Sequence, residues 1–400
     1  MSGIKAIQSF VNFGTPNSTF PLNKDYAYIA KLSSLLLKEH YGEVTLYTNK
    51  YHKSAFELMN FPYEYDTNVL SKEKAKIFSE VKLQAFAAQD KPYIHFDLDT
   101  IVGTKLDIYS KTSPFIFSHP DKNRIGFRKD GKIKGGKKHK VLHSFLNDRW
   151  FHDIFSTYFK YLWTLKLPKD WPTHLIFPEL IPNMNIVGVK DPTTFNKAVK
   201  KALWIANNNR DKLTDWESAC FIEQLVIPLY LSFISPEYRE AQKAHKNKIG
   251  IDSFLLANYE LNEVPSINLK GDYDESIYHT TPLKFPYKYI NNYSCSECSD
   301  FHKREYEINS DEDLVKILDL KDYKLTHIGG FNKSVIIYQV MVLYTLKKYF
   351  GEDAILDVTK AYLGKRKKAR LSPGEAEYER LTGDYLFTDF YGFPRKKLLL

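Results

Sequence analysis

Two aspartates separated by one residue are the part of this sequence best suited to bind a divalent cation. Asp97 and Asp99 follow the apolar run at 92–96 and precede Ile101 and Val102. A short apolar run with polar boundaries is typical of a buried strand. Carboxylates at the end of such a strand lie in the crevice where open α/β sheets bind ligands. Burying two like charges there is costly without a cation, and hard oxygen ligands favour Mg²⁺ or Mn²⁺.

The Asp-x-Asp pattern is weak by itself, because the chain contains it at three places. Asp272 and Asp274 lie in a polar stretch that begins with a glycine. Asp311 and Asp313 are expected to open a helix, where acidic side chains favour the helix dipole. The first pair alone follows an apolar strand, although a polar cap at a strand–turn junction is the alternative explanation for it.

A second polar cluster stands far along the chain, between a predicted short strand and a predicted helix. His327, Gly330 and Lys333 have the spacing H-x-x-G-x-x-K. Histidine is a common metal ligand, and glycine lets the backbone approach a ligand closely. A lysine near a helix start would contact a phosphate where exposed N–H groups already favour anions. Taken alone, His327 is explained as a histidine in a turn and Lys333 as a solvated charge. Together with Asp97 and Asp99, they supply three metal ligands and a cation for a diphosphate.

The order strand, helix, strand, Asp-x-Asp and, much later, H-x-x-G-x-x-K resembles that of glycosyltransferases with the GT-A fold. It is most similar to glycosyltransferase family eight, the glycogenin and lipopolysaccharide galactosyltransferase group. The resemblance implies that Asp97, Asp99 and His327 hold Mn²⁺ (or Mg²⁺). It also implies that Lys333 binds the diphosphate of a nucleotide-sugar donor, with UDP favoured as the nucleotide. The implied activity is transfer of the sugar to an acceptor hydroxyl, a hexosyltransferase type of reaction.

The segment that leads into the aspartates carries a further likeness. The residues KLQAFAAQDKPYIHFDLDTIV resemble a set of bacterial putative glycosyltransferases, in which a helix with a lysine precedes the motif P-hydrophobic-H-x-D-x-D. Lys82 matches that lysine and His95 matches that histidine. This likeness adds Lys82 to the residues expected to contact the donor.

The remaining candidates are polar residues near predicted element ends. Glu223 and Gln224 are the nearest substitute for the DQD triplet of family eight. A carboxylate there would act as a general base on the acceptor in an inverting enzyme, or lie near the anomeric carbon in a retaining one; a surface acid is the plain alternative. Asn183 and Asn185 lie where GT-A enzymes place a strand that contacts the donor sugar, and Asn12 is a candidate for contacting the nucleotide. A polar turn before a core strand is the alternative explanation for Asn183 and Asn185.

The elements that must position these residues alternate between strand and helix. Predicted strands cover residues 5–11, 43–48, 92–96, 175–189 and 324–327, and predicted helices cover residues 25–40, 71–89, 193–208, 215–231 and 334–350. Alternation of this kind predicts an α/β fold. With the resemblance, we expect a GT-A architecture: a Rossmann-like, mixed central sheet flanked by helices. Residues 1–350 would form the catalytic domain and residues 351–400 a helical, basic carboxy-terminal extension.

Composition excludes some classes and leaves several partners open. The chain of 400 residues is 43% hydrophobic and 26% charged, which rules out a disordered or fibrous protein. We find no signal peptide and no apolar run long enough to span a bilayer, so we expect a cytoplasmic location, with peripheral membrane association left open. Cys295, Cys298 and His302 have partial zinc-ligand spacing, but a fourth ligand is not evident, and two reduced thiols are the simpler explanation.

The net charge of +9 predicts attraction to anions, and basic tracts lie at 128–140 and 365–370. An acidic glycan, a lipid-linked glycan and nucleic acid are therefore the open choices for the acceptor. Three alternatives to the main hypothesis remain: a glycosyltransferase that modifies a hydroxylated DNA base, a non-catalytic polyanion-binding protein, and a metal-dependent phosphohydrolase or nucleotidyltransferase.

Overall fold

A computed structural model describes most of the chain. It covers residues 4–11, 22–69, 79–109, 113–118, 120–122, 165–171, 180–213, 220–246, 267–269, 306–308, 310–328, 333, 336–364 and 370–393.

Within these ranges the strands are short. They are β1 (Lys5–Ser9), β2 (Val44–Tyr47), β3 (Glu64–Asp66), β4 (Tyr93–Phe96), β5 (Thr100–Ile101), β6 (Phe115–Phe117), β7 (Pro120–Lys122), β8 (Leu180–Pro182), β9 (Ile186–Val189), β10 (Ile267–Leu269), β11 (Tyr306–Ile308) and β12 (Thr326–His327). Six of them form the central sheet in the order β3-β2-β1-β4-β9-β6. The first four run parallel, and β9 runs antiparallel to both β4 and β6.

The helices are mostly connections between strands. They are α1 (Lys24–Tyr41), α2 (Lys50–Leu58), α3 (Glu80–Ala87), α4 (Pro192–Asn208), α5 (Ile227–Ile234), α6 (Pro236–Lys246), α7 (Asp311–Lys316), α8 (Ile336–Leu363), α9 (Pro373–Thr382) and α10 (Leu386–Tyr391). A π-helical turn, Cys220–Val226, leads into α5. No helix in these ranges is long and apolar enough to cross a bilayer.

Alternating residues of the strands bury two separate apolar cores, one on each face of the sheet. Ala6 and Ile94 pack into a core with α1 and α8. Their neighbours Ile7 and Tyr93 belong to a second core, with α3, α4 and α5. Successive side chains of a strand point to opposite faces, so a sheet buried on both faces needs apolar residues at nearly every position. The molecule therefore has a mixed, mostly parallel sheet with helices on both faces, as in Rossmann-like folds.

Strand order sets the place of the ligand crevice. The chain passes from β1 to β2 on one side of β1, and later returns to place β4 on its other side. The carboxyl ends of β1 and β4 thus flank a point where the strand order reverses. Open α/β sheets bind ligands in the crevice at such a switch point.

Most predicted elements are confirmed, with shifted bounds. Strands are present at the start of the chain, after α1 and before Asp97, and Asp311 does open a helix, capped by the Ser310 side chain. The missed elements include two helices, α2 and α6, and four strands, β3, β5, β6 and β7. The predicted strand at 324–327 is confirmed only for Thr326–His327. The predicted helix at 215–231 is confirmed from residue 220 on, with a π-helical turn at 220–226 before α5, and its first residues lie outside the described ranges. The first part of the predicted helix at 71–89 lies outside the described residues.

The carboxy-terminal helices pack onto the first core. Helix α8 continues past residue 350 and bends at Gly351, whose φ of 79° is outside the helical region. Beyond it, Glu375 is buried and accepts hydrogen bonds from the Tyr28 hydroxyl (2.8 Å) and the Lys24 ammonium (2.7 Å). Its carboxylate also accepts from the backbone N–H of Ser372, the cap of α9. One buried carboxylate thus joins α9 to α1. The division into a domain at 1–350 and an extension at 351–400 stays a prediction.

Replacing Glu375 with alanine is expected to lower the free energy of unfolding by about 3–5 kcal/mol, because it leaves buried donors without their acceptor. Glu43, which is exposed, is the matched control, and its alanine variant should change stability by less than about 0.5 kcal/mol. Urea unfolding followed by circular dichroism measures both. Equal stability of the two variants would show that the carboxylate does not fasten α9 to α1.

Candidate metal centre

A tight turn and a two-stranded ladder bring together three side chains of the types that bind metal ions. The turn after β4 carries Asp97 and Asp99 and leads directly into β5. Strand β12 pairs antiparallel with β5, so that His327 lies opposite Thr100. The backbone N–H of Ile328 donates to the carbonyl of Asp99 at 2.9 Å, which continues this ladder. Backbone pairing therefore holds the distal histidine beside the aspartates.

The side chains offer ligand atoms at the spacing that one cation needs. Each of Asp97, Asp99 and His327 offers one ligand atom, and these three atoms lie within 4.8 Å of one another. Oδ1 of Asp99 is buried and has no hydrogen-bond partner among the described residues; its distance to His327 Nε2, 3.4 Å, is long for a hydrogen bond. Two carboxylates and an imidazole suit Mn²⁺ or Mg²⁺, with the imidazole favouring Mn²⁺. The donor set therefore fits the cation expected from the sequence.

Asp99 is held in its ionised form. Its other oxygen, Oδ2, contacts the Lys333 ammonium at 2.6 Å. Burial opposes ionisation of Asp99, but the charges of Lys333 and His327 hold the pKa of this carboxyl below its ordinary value. A carboxylate that stays ionised at neutral pH is free to bind a cation without first losing a proton.

Lys333 lies between Asp99 and an aromatic ring. Its ammonium is 4.3 Å from the ring centroid of Tyr26, in the first turn of α1. A cation over an aromatic face is attracted by the ring quadrupole. Burial, with Asp99 and Asp97 nearby, raises the pKa of Tyr26 well above its ordinary value, so the phenol stays neutral. The ring therefore supports the ammonium at a fixed place beside the aspartates.

A second lysine lies on the other side of the aspartate pair. Lys82, on α3, contacts Oδ1 of Asp97 at 2.8 Å and Oε1 of Glu223 at 2.5 Å. It also donates to the backbone carbonyl of Met184 at 3.1 Å. Its three donors thus have three acceptors from separate parts of the chain. Glu223 comes from the π-helical turn, a feature often found at functional sites.

Burial and mutual repulsion set the protonation of this second group. Burial raises the pKa of Glu223 to about 7, although Lys82 opposes the shift. Burial also raises the pKa of Asp97; the Lys82 charge opposes this shift, and the Asp99 carboxylate adds to it. Desolvation alone would lower the pKa of Lys82, but its two carboxylate partners raise it above the ordinary value. Lys82 is therefore a permanent cation shared between two competing carboxylates.

The ion pairs of the site leave negative charge in excess. The carboxylates of Asp97, Asp99 and Glu223 face the ammonium groups of Lys82 and Lys333. Burial is the main cause of the raised pKa of Glu223, and the nearby Asp97 carboxylate adds to it, because like charges that share a site disfavour ionisation of one member. A divalent cation on the Asp97 side would remove this excess.

The strand beside β4 adds buried polar groups. The backbone N–H of Asp97 donates to the carbonyl of Asn185 at 2.8 Å, so Asn185 lies directly opposite Asp97. Opposed residues of an antiparallel pair share a face. The Asn185 amide is buried, and neither its nitrogen nor its oxygen has a hydrogen-bond partner in the described ranges. Asn183 is buried as well, and its side chain accepts from the Asn185 N–H at 3.0 Å.

His95 has a structural position below the aspartates. It is fully buried in β4, its Nε2 lies 3.0 Å from the Ser9 hydroxyl, and its Nδ1 lies 3.9 Å from Asp97 Oδ1. Burial, with the nearby Lys82 ammonium, holds the pKa of His95 well below its ordinary range. His95 is therefore a neutral imidazole near Asp97 but beyond hydrogen-bond distance of it.

The structure brings several of the site residues predicted from the sequence into one cluster, and others lie outside the described ranges. Lys82, Asp97, Asp99, Asn185, Glu223, His327 and Lys333 form the site, and Gln224 is buried beside Glu223. Asn12, Gly330, the Cys295/Cys298 pair and most of both basic tracts lie outside the part that the structure describes. Tyr26 was missed. An aromatic residue in the first turn of an amphipathic helix gives no signal of its own, because its partner Lys333 is distant in sequence.

Comparison with known proteins assigns no activity. Residues 5–138 match the model of a family of unknown function, DUF6734. The matched stretch includes Lys82, Asp97 and Asp99, and ends before Glu223, His327 and Lys333. No curated protein matches the chain.

Asparagine at position 97 or 99 is expected to weaken Mn²⁺ binding at least about 100-fold. Groups that only orient metal ligands already contribute about 10–100-fold to metal affinity, so loss of a ligand charge should do at least as much. Free Mn²⁺, measured by electron paramagnetic resonance during titration of the protein, gives the affinity.

The matched control is a second Asp-x-Asp pair, at the partly exposed start of α7. The double variant Asp311→Asn, Asp313→Asn changes the same residue types in the same pattern and should leave Mn²⁺ affinity unchanged. Equal loss of affinity in both sets would mean that Mn²⁺ binds by general surface charge and not at the turn after β4.

Stability should depend on pH through Glu223. Its pKa is about 7 in the folded protein and 4.5 in an exposed glutamate. The folded state therefore binds the proton more tightly, and the stability that this contributes, up to about 3 kcal/mol, is lost as pH rises from about 5 through 7. A Glu223→Gln variant, which has no such proton, should gain stability relative to the wild type over that range. Unfolding midpoints at pH 5 and pH 8 measure it; a constant difference between the two proteins would contradict the raised pKa.

Proposed function

We propose that this protein is a metal-dependent glycosyltransferase that moves a sugar from a nucleotide-diphosphate sugar to an acceptor hydroxyl. UDP is the favoured nucleotide of the donor, through the likeness to family eight. The donor site is the crevice at the carboxyl ends of β1 and β4, where a Rossmann-like sheet binds its ligand.

The main support for the proposal is the convergence of three metal-ligand side chains and a lysine. Asp97, Asp99 and His327 converge with ligand atoms within 4.8 Å, and the Lys333 ammonium lies against the same carboxylate, Asp99. A cation site with a lysine beside it suits a diphosphate, whose charge needs both. A simple polar cap after β4 explains neither the distal histidine nor the lysine.

The chain's own residues would divide the work on the donor. Mn²⁺ would supply Lewis acidity to the diphosphate leaving group when bound by Asp97, Asp99 and His327. Lys333, supported by the Tyr26 ring, would bind a phosphate oxygen. Preorganised cations at the place where charge develops lower the barrier because they need no rearrangement during the reaction.

Lys82, Glu223 and Asn185 would face the sugar. They are buried, polar and grouped around Asp97, which suits a ligand rich in hydroxyl groups. Glu223 is held by Lys82 and has a pKa near neutrality, as a group that exchanges a proton in catalysis requires. Whether it acts on the acceptor or beside the anomeric carbon decides the stereochemical outcome, and both assignments stay open.

A panel of nucleotides and nucleotide-sugars, each with and without Mn²⁺, tests this function by thermal shift. UDP or a UDP-sugar at about 100 times its dissociation constant should stabilise the protein by about 2.7 kcal/mol. The stabilisation should require Mn²⁺ and be absent for uridine, which has no phosphate. If no nucleoside diphosphate or nucleotide-sugar stabilises the protein in a metal-dependent way, the proposal is wrong.

Two variants and the reaction products separate the alternatives. Lys333→Gln should keep Mn²⁺ binding and lose most of the UDP effect, whereas Lys316→Gln, on the exposed end of α7, should lose neither. A polyanion-binding protein would instead keep its affinity for anions in the Asp97→Asn, Asp99→Asn double variant. A phosphohydrolase or nucleotidyltransferase would release or transfer a phosphate-bearing group, while a glycosyltransferase turning over slowly in water gives free sugar and UDP.

A further inference from the structure

A buried glutamine in the middle of the sheet contacts the turn that carries both aspartates. Gln8 lies in β1, between β2 and β4, and is completely buried. Its amide nitrogen Nε2 donates to the backbone carbonyl of Asp97 at 3.2 Å and to the Ser33 hydroxyl oxygen at 3.1 Å. A polar side chain thus crosses from the central strand to the metal-binding turn.

A tyrosine fixes the orientation of this amide. The Tyr63 hydroxyl donates to Oε1 of Gln8 at 2.5 Å. The Asp97 carbonyl can only accept, so the amide nitrogen faces it and the amide oxygen faces the Tyr63 hydroxyl, which donates. Tyr63 is buried as well, and burial raises its pKa well above the ordinary value, so that it remains a donor.

Ser33 carries the same network to the other end of the turn. Its hydroxyl donates to the carbonyl of Thr100 at 2.7 Å. The turn itself is closed by the Thr100 N–H, which donates to the Asp97 carbonyl at 3.1 Å. Side chains outside the turn therefore donate hydrogen bonds to the carbonyls of its first and last residues, Asp97 and Thr100. Asp97 begins the turn and Asp99 lies inside it.

Gln8 occupies a buried strand position where an apolar residue would be expected. Gln8 shares its face of β1 with Ala6, which packs into the core formed with α1 and α8. A buried amide is costly unless its hydrogen bonds are satisfied, and a satisfied network favours one defined geometry. Because this network ends at the turn that carries Asp97 and Asp99, the geometry that it defines is that of the turn.

We propose that Gln8, oriented by Tyr63 and joined by Ser33, is the positioning residue of the metal centre. It holds the turn Asp97–Leu98–Asp99–Thr100 so that both carboxylates face His327, without touching the cation or the substrate. Its effect on metal binding rests on the proposed function; its effect on the turn does not.

The test compares Gln8→Met, which has similar volume and no donor, with Thr359→Val. Thr359 is fully buried and its hydroxyl pairs with Tyr28 on α1, the same helix that carries Ser33. Both variants lose buried hydrogen bonds, so both should unfold at lower denaturant. Ser33→Ala is a milder second variant, in case Gln8→Met is poorly folded.

Two readouts distinguish positioning from stability. Amide hydrogen exchange of residues 97–101 in the metal-free protein should rise at least about 10-fold in Gln8→Met and in Ser33→Ala, and not in Thr359→Val. Mn²⁺ affinity should fall about 10-fold or more in the first two variants only, as for groups that orient metal ligands.

Unchanged exchange at 97–101 in Gln8→Met and Ser33→Ala, or an equal rise in Thr359→Val, overturns the proposal. So does faster exchange of the turn with wild-type Mn²⁺ affinity. Faster exchange in a protein whose wild type binds no Mn²⁺ supports the positioning of the turn and contradicts the proposed function, so the two failures are distinguishable.

Discussion

The repulsion between two carboxylates at the end of a buried strand is the constraint around which this molecule is arranged. Asp97 and Asp99 lie where β4 ends, and each contacts a lysine from a different part of the chain, Lys82 or Lys333. With Glu223 the negative charge still exceeds the positive. A native fold keeps such a cluster only when something offsets its cost. Under the proposed function, a bound cation followed by an anionic ligand would offset this excess of negative charge.

The fold meets this constraint by bringing remote segments to one edge of the sheet. The ladder of β5 with β12 places His327 beside Asp99, and the pairing of β4 with β9 places Asn185 opposite Asp97. Both contacts are made by backbone hydrogen bonds, which fix position more firmly than exposed side chains do. The two cores on either face of the sheet then keep these ladders in register, because a slip by one residue would exchange the faces.

The sequence predicts the aspartate pair and its distal partners because each has a local signal. An apolar run before Asp97 and the spacing from His327 to Lys333 are visible without a structure. Helix α2 was missed because it is short and buries only His52, Ala55 and Phe56, too few for a helical pattern. Tyr26 and Gln8 were missed for a different reason: their partners are remote in sequence, and a glutamine in a strand reads as an ordinary polar position. Long-range contacts of this kind have no periodicity from which to infer them.

We propose that one cation is held jointly by Asp97 and Asp99, in the turn after β4, and by His327, in β12. A crystal structure of the protein with Mn²⁺ and UDP, with anomalous data collected at the manganese edge, tests it directly. We expect a single anomalous peak about 2.0–2.3 Å from Asp97, Asp99 and His327, with the Lys333 ammonium on a phosphate oxygen. A peak at another place, or UDP bound elsewhere while both lysines keep their aspartate partners, would contradict it.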